Sequence, residues 1–299
     1  MANIPQLIRS VARQNNVQQY IVEKDYALSY LMTAIANTDG LKEHLVLKGG
    51  TALRKLYFPN YRFSEDLDYS TRVPGSILQI DERMPAVIQQ MNDALNERGP
   101  FQISYEALTL RLPHPDEQKA YTVHVQFPGQ RQSLCRLKIE ITVDEPILIP
   151  VEERPVLHNF AEDFEATIPV YSLYEITMEK FRALLQSKAR LAERGWGASR
   201  VCRDYYDLWN LLQVPGLIST DFLSLLSQKC SVRKVAFTTA HDFLAEELLA
   251  TAHQEWPQQL LPFVPGAPPA EEVLSQVKDL ILTICQENSR ESGMARHKE

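Results

Sequence analysis

Apolar residues recur at three- and four-residue spacing through "QLIRSVARQNN" and "EKDYALSYLMTAIANTDG", which predicts two helices in the first forty residues, with Gly40 as a stop. "HLVLKGG" is a short apolar run ending in glycines and reads as a turn after a buried element. "TALRKLYF" reads as a helix start capped by Thr51, and "EDLDYST" as a short strand. "VPGSILQIDERMPAVIQQMNDALNERGP" contains a further helix, closed by Gly99-Pro100.

The period then changes from 3.6 to 2. "FQISYEALTLRL", "AYTVHVQF" and "SLCRLKIEITVDEP" alternate polar with apolar and predict three strands. In the third, Arg136, Lys138, Glu140 and Thr142 share one face and Cys135, Leu137, Ile139, Ile141 and Val143 the other, the pattern of a half-buried strand. "PILIPVEERPVLHNFAEDFEATIPV", rich in proline and acid, reads as a linker. Helical periodicity returns in "SLYEITMEKFRALLQSKARLAE" and "VCRDYYDLWNLLQ" and continues to about Glu287. The polar end is expected to be a disordered tail. The organisation expected is residues 1–165, then a helical part over 166–287, then a tail over 288–299.

Composition adds exclusions. Hydrophobic residues are 44% and charged residues 23%, the balance of a globular protein. No run approaches about 18 apolar residues, and the first residues lack an apolar signal core, so a cytoplasmic protein without a membrane partner is expected. Cys135, Cys202, Cys230 and Cys285 show no metal-ligand spacing, the histidines form no array, and zinc is not expected. The net charge of −7 argues against a protein that coats nucleic acid along its length. One basic island interrupts it. Lys180, Arg182, Lys188, Arg190, Arg194, Arg200 and Arg203 stand against the single acid Glu193. Charge alone does not separate an RNA-facing surface from a solvated helix face.

Candidate chemistry centres on Asp66 and Asp68. On a strand, positions i and i+2 project to one face, roughly 6 to 7 Å apart. Carboxylates so placed suit Mg²⁺ or Mn²⁺ rather than zinc, although an exposed acidic turn has the same pattern. Gly49 and Gly50 permit close backbone approach at a helix start, where N–H groups favour phosphate. A phosphate turn beside metal-binding carboxylates is what nucleotidyl transfer requires. Glu140, on the polar strand face, is the candidate third carboxylate. No G-x-x-x-x-G-K-[ST] loop is present. The residues before Asp66, "NYRFSE", are not the long apolar strand that carries a phosphatase aspartate.

Lys48-Gly49-Gly50-Thr51-Ala52-Leu53 with Arg62-Phe63-Ser64-Glu65-Asp66-Leu67-Asp68 resembles the motif of the AbiEii/AbiGii toxin family of minimal nucleotidyltransferases. The resemblance takes in "VEKDYALSYLM", "LKIEITVDEP", "YSLYEITMEKFRALL" and "RDYYDLWNLL", over roughly residues 22 to 212. It implies an α+β fold, with a polymerase-β-like core and mixed sheet followed by a helical C-terminal part. It also implies Mg²⁺-dependent transfer of nucleotides from NTP to an acceptor such as the tRNA 3′ end. The setting implied is a toxin–antitoxin or phage-defence system, with a cognate antitoxin. Carried over residue by residue, Gly49, Gly50 and Thr51 fall on the nucleotide-phosphate turn, and Asp66 and Asp68 on the metal pair. Lys180 falls on a triphosphate contact with no other strong partner, accompanied by Arg182. Asp204 and Asp207 fall on a later acidic motif, beside Arg203. Lys48, Ser64 and Lys138 are further candidates. Asp207 has a second reading as an ion pair with Arg203, at i−4. Two features depart from the wider superfamily: Gly-Gly-Thr stands where Gly-Ser is common, so Thr51 is the hydroxyl candidate, and 15 residues separate Gly50 from Asp66. The site is expected in a groove between the two parts. Transfer to a protein hydroxyl and a non-catalytic binding module remain as alternatives.

Overall fold

The computed structural model describes residues 3–73, 79–108, 118–198 and 200–295, with side chains as far as Gln286. The chain divides into one unit of Met1–Tyr171 with Phe263–Pro265, and a second of Ser172–Pro262 with Gly266–Glu299.

The first unit opens with α1 (Ile4–Asn15), capped by Asn3, whose side chain accepts the Gln6 N–H at 3.2 Å. Next comes α2 (Gln19–Asn37), buried on almost every side from Ile21 to Ala36, with Glu23, Asp25 and Ser29 among its buried residues. The chain leaves it past Gly40 at φ +76°. Then follow β1 (Leu45–Lys48), α3 (Gly49–Ala52), a wide turn over Leu53–Tyr57, β2 (Asp66–Thr71), α4 (Ile80–Asn96) and five strands. These are β3 (Gln102–Ala107), β4 (Gln118–Gln126), β5 (Cys135–Thr142), β6 (Glu152–Pro155) and β7 (Thr167–Val170). They form one mixed sheet in the order β3-β4-β5-β2-β1-β7-β6. β2 is antiparallel to β1 and parallel to β5, and β1 is parallel to β7. α2 packs on α4 and on β2, β5 and β7. The fold is α+β.

Four expectations need correction. The stretch read as a linker holds β6 and β7. Each is four residues long and contains a proline, Pro155 or Pro169, so neither displays a period-two pattern. The helix after the glycines starts at Gly49, two residues before Thr51, so Thr51 does not cap it. In β5 the predicted alternation is present except at Thr142, which is buried. Finally, helical backbone continues to Ala295, through a polar stretch with no proline to stop it. Residues 296–299 of the expected tail lie outside the described residues, as does the end of the "FQISYEALTLRL" strand candidate, from 109 on.

One buried ion cluster fixes the glycine-turn region. Asp25 of α2 accepts hydrogen bonds from Arg54 Nε at 3.0 Å and Lys55 Nζ at 2.7 Å, and all three side chains are at most 5% exposed. Arg54 also donates to the Tyr61 carbonyl and lies 3.7 Å from the centre of the Phe63 ring. The Leu157 N–H donates to the Lys55 carbonyl at 2.6 Å. Burial works against charge on Asp25, but Lys55 and Arg54 outweigh it and hold its carboxyl below the ordinary value.

The second unit is helical: α5 (Leu173–Arg194), α6 (Val201–Leu211), α7 (Phe222–Val232), α8 (Glu246–Glu255) and α9 (Ala270–Ala295). Ser172 caps α5, accepting the Glu175 N–H at 3.1 Å, and Gly195 ends it at φ +73°. Phe181, Phe222, Phe243, Leu248, Val277 and Ile281 are its core. Among the described residues, no helix is long and apolar enough to cross a membrane.

Asp25→Asn should destabilise the protein by about 3–5 kcal/mol, because it leaves two buried cations without their carboxylate. The lowered pKa means that Asp25 contributes its stability above the ordinary aspartate pKa and loses it as pH falls through the folded-state value. Urea midpoints from pH 7 to pH 3 should therefore fall less steeply in the variant than in the wild type. Parallel curves with equal midpoints would remove Asp25 from this role.

Candidate active site

The turn after β1 and the start of β2 are built against each other. Gly49 has φ +75°, a conformation that costs an L-residue roughly 1–2 kcal/mol. A Cβ on Gly49 would lie 2.7 Å from Asp68 Oδ2, so the missing side chain is where the aspartate carboxylate sits. A Cβ on Gly50 would lie 2.6 Å from a guanidinium nitrogen of Arg62 and 3.2 Å from Ser64 Oγ. Thr51, buried, donates its hydroxyl to the Asp66 carbonyl at 2.5 Å. That hydroxyl joins the turn to β2.

Asp66 and Asp68 are half-buried on one face of β2, while Leu67 and Tyr69 are buried on the other. The parallel register with β5 sets Asp66 beside Lys138 and Asp68 beside Glu140. The antiparallel register with β1 sets Asp68 opposite Lys48. Lys48 Nζ is 3.6 Å from the buried Glu145 and 5.7 Å from the centre of the Tyr171 ring. Glu65, one residue before the pair, holds Lys24 at 2.9 Å.

Two aspartates on one face, with a glycine turn against them, offer the oxygen donors that a hard divalent cation takes. Glu140 has the right register for a third. Its Oε1 is instead 2.5 Å from Lys138 Nζ, and among the described residues no three His, Cys, Asp or Glu side chains converge in a metal-holding group. The donor set is the aspartate pair.

The remaining sequence candidates lie in the second unit. Lys180 does not stand clear of other partners: its Nζ is 2.8 Å from Asp204 Oδ1 and 2.7 Å from Asp207 Oδ2. Asp207 is fully buried, and that ammonium is among the groups that offset its charge. Arg182 is buried and bound to Glu179 at 3.0 Å, while the fully buried Lys229 is 2.6 Å from Glu175 and 3.7 Å from Glu179. Arg203 Nε donates to the Gln259 carbonyl at 2.7 Å. Lys188 pairs with Asp242 at 2.9 Å, and that bond, with the Thr238 and Thr239 N–H groups, pushes the Asp242 carboxyl far down. Much of the basic island is therefore committed to partners inside its own unit.

Arg62 is the residue that sequence reasoning missed. It is buried, with its guanidinium over Gly50, which makes it a cation against the glycine turn. Its place four residues before Asp66, inside the motif itself, was the available signal.

Residues 30–278 match the family model described as nucleotidyl transferase AbiEii toxin, Type IV TA system. No curated protein matches the chain. Among solved structures it is similar to the apo form of Vibrio cholerae DncV, at 13% identity over 93% of this chain and 77% of that one, with a TM-score of 0.18. It is also similar to Vibrio cholerae DncV cyclic AMP-GMP synthase in complex with the linear intermediate 5′ pppA(3′,5′)pG, at 12% identity over 93% and 78%, with a TM-score of 0.19. TM-scores that low do not establish a shared fold.

Gly49→Ala should cost about 1–2 kcal/mol in backbone strain and displace the Asp68 carboxylate. Nucleotide-dependent activity should drop by more than the loss in melting temperature accounts for. Lys180→Ala should lower stability, since it removes an ammonium that Asp204 and the buried Asp207 share. An unchanged melt with weakened nucleotide binding would show that Lys180 serves phosphate and not the fold.

Proposed function

The chain belongs to the AbiEii nucleotidyltransferase toxin family, and from that premise we propose that it transfers a nucleotide from an NTP to an RNA acceptor such as a tRNA 3′ end, with Mg²⁺ or Mn²⁺ as cofactor. The observation that carries this reading is the close fit of Gly49 against Asp68, with Asp66 on the same strand face. The absence of a side chain there lets backbone N–H groups approach a triphosphate beside the carboxylates. Asp66 and Asp68 would hold the metal. When bound, it would supply charge neutralisation for the triphosphate and the leaving pyrophosphate.

The chain's own residues supply the rest. Arg62 places positive charge against Gly50, where it would favour an anion bound at the turn. Thr51 fixes the distance between that turn and β2 through its bond to the Asp66 carbonyl. Glu140, on the strand beside Asp68, would have to leave its ion pair with Lys138 to join as a third carboxylate. A toxin role in a toxin–antitoxin or phage-defence system, with a cognate antitoxin as partner, goes with the same reading.

Incubation with each labelled NTP and total tRNA should transfer label to RNA in Mg²⁺. Asp66→Asn and Asp68→Asn should each reduce transfer to background with little change in melting temperature, because both side chains are only half-buried and carry like charge. Label on protein and not on RNA would redirect the acceptor to a protein hydroxyl. Near wild-type transfer by either variant would overturn the metal assignment.

A further inference from the structure

We propose that the exposed face of α1 is a docking surface for the phosphodiester backbone of the RNA acceptor, an inference that rests on the RNA reading above. Residues 1–22 contain no acid in a chain of net charge −7. Arg9 and Arg13, one helical turn apart on α1, are both exposed, and neither has an ion-pair partner among the described residues. The first acid, Glu23, is buried and accepts the amides of Gln19 and Gln130, so it does not neutralise them. Arg13 offsets the negative C-terminal end of its helix, but Arg9, a turn earlier, has no such task.

Two hollows of about 460 and 380 Å³ flank these side chains, and both are lined by Arg9 and Arg13. The rest of their lining is mainly amide, from Gln6, Gln14, Gln18 and Gln19, with Ala12 and Val17 the apolar members. Tyr20, next in the chain, is 48% exposed. A protein partner would bury an apolar centre, which this face lacks. Guanidinium, amide and an open aromatic ring are what single-stranded or looped RNA engages, through phosphate, 2′-hydroxyl and base stacking. The basic island is a poorer candidate, because its cations are largely held by acids of their own unit.

The test is tRNA binding by the full chain and by Arg9→Gln/Arg13→Gln, read by fluorescence anisotropy from 50 to 200 mM KCl. The double variant should bind more weakly, and its log–log salt slope should be shallower by about 1.4 to 1.8, two phosphate contacts' worth. NTP binding and the melting temperature should not change, since both side chains are exposed. An unchanged slope in a variant that still binds tRNA overturns the α1 face and leaves the RNA reading standing. A wild-type chain that binds no tRNA overturns both. Binding of polyglutamate in place of tRNA, lost in the variant, overturns the proposal in favour of an acidic protein partner.

Discussion

The buried carboxylate of Asp25 is the interaction on which the site's geometry depends. It holds Arg54 and Lys55, which lie just after the glycine turn, against α2 in the core. Arg54 then fixes Tyr61 and Phe63, in the loop that leads to the aspartates, while the backbone of Lys55 holds Leu157. Three stretches distant in sequence, around Asp25, from Arg54 to Phe63 and at Leu157, are thereby set relative to one another. Charges this deeply buried are not a strong source of net stability, because desolvation opposes their attraction. Their consequence is geometric: other placements of the turn would leave at least one of them unpaired.

Sheet order supplies the second constraint. β2 lies between β1 and β5, so the carboxylate face of Asp66 and Asp68 has Lys48 on one neighbouring strand and Lys138 and Glu140 on the other. Like charges one strand step apart are tolerated in a region where cations are close on both sides. Glu140 shows the balance: in this arrangement the ammonium of Lys138 holds it.

The second unit uses charge differently. Its buried ions close on one another, Lys180 with Asp204 and Asp207, and Lys229 and Arg182 with Glu175 and Glu179. A sequence segment dense in Lys and Arg thus becomes partly interior, while two arginines in an unremarkable N-terminal helix are left exposed among amides. Positive charge available to a polyanion depends on which cations lack an internal carboxylate, and residue counts do not report that.

The sequence by itself determined what is local. The helices of the first forty residues and of the C-terminal half, the alternation of β4 and β5, and the pairing of Asp66 with Asp68 on one strand face all follow from periods of 3.6 and 2. The glycine pair marked the turn, and the motif order marked the family. Only the tertiary structure decided what depends on partners far along the chain. β6 and β7 are too short and proline-marked to show a period, and exist because the sheet edge beside β1 accepts them. Thr51 proved to be a strut because β2 presents the Asp66 carbonyl to it. Arg62 came to lie over Gly50, and Lys180 came to be shared by two aspartates. A side chain's partners are set by three-dimensional proximity, which a one-dimensional pattern of polarity does not encode.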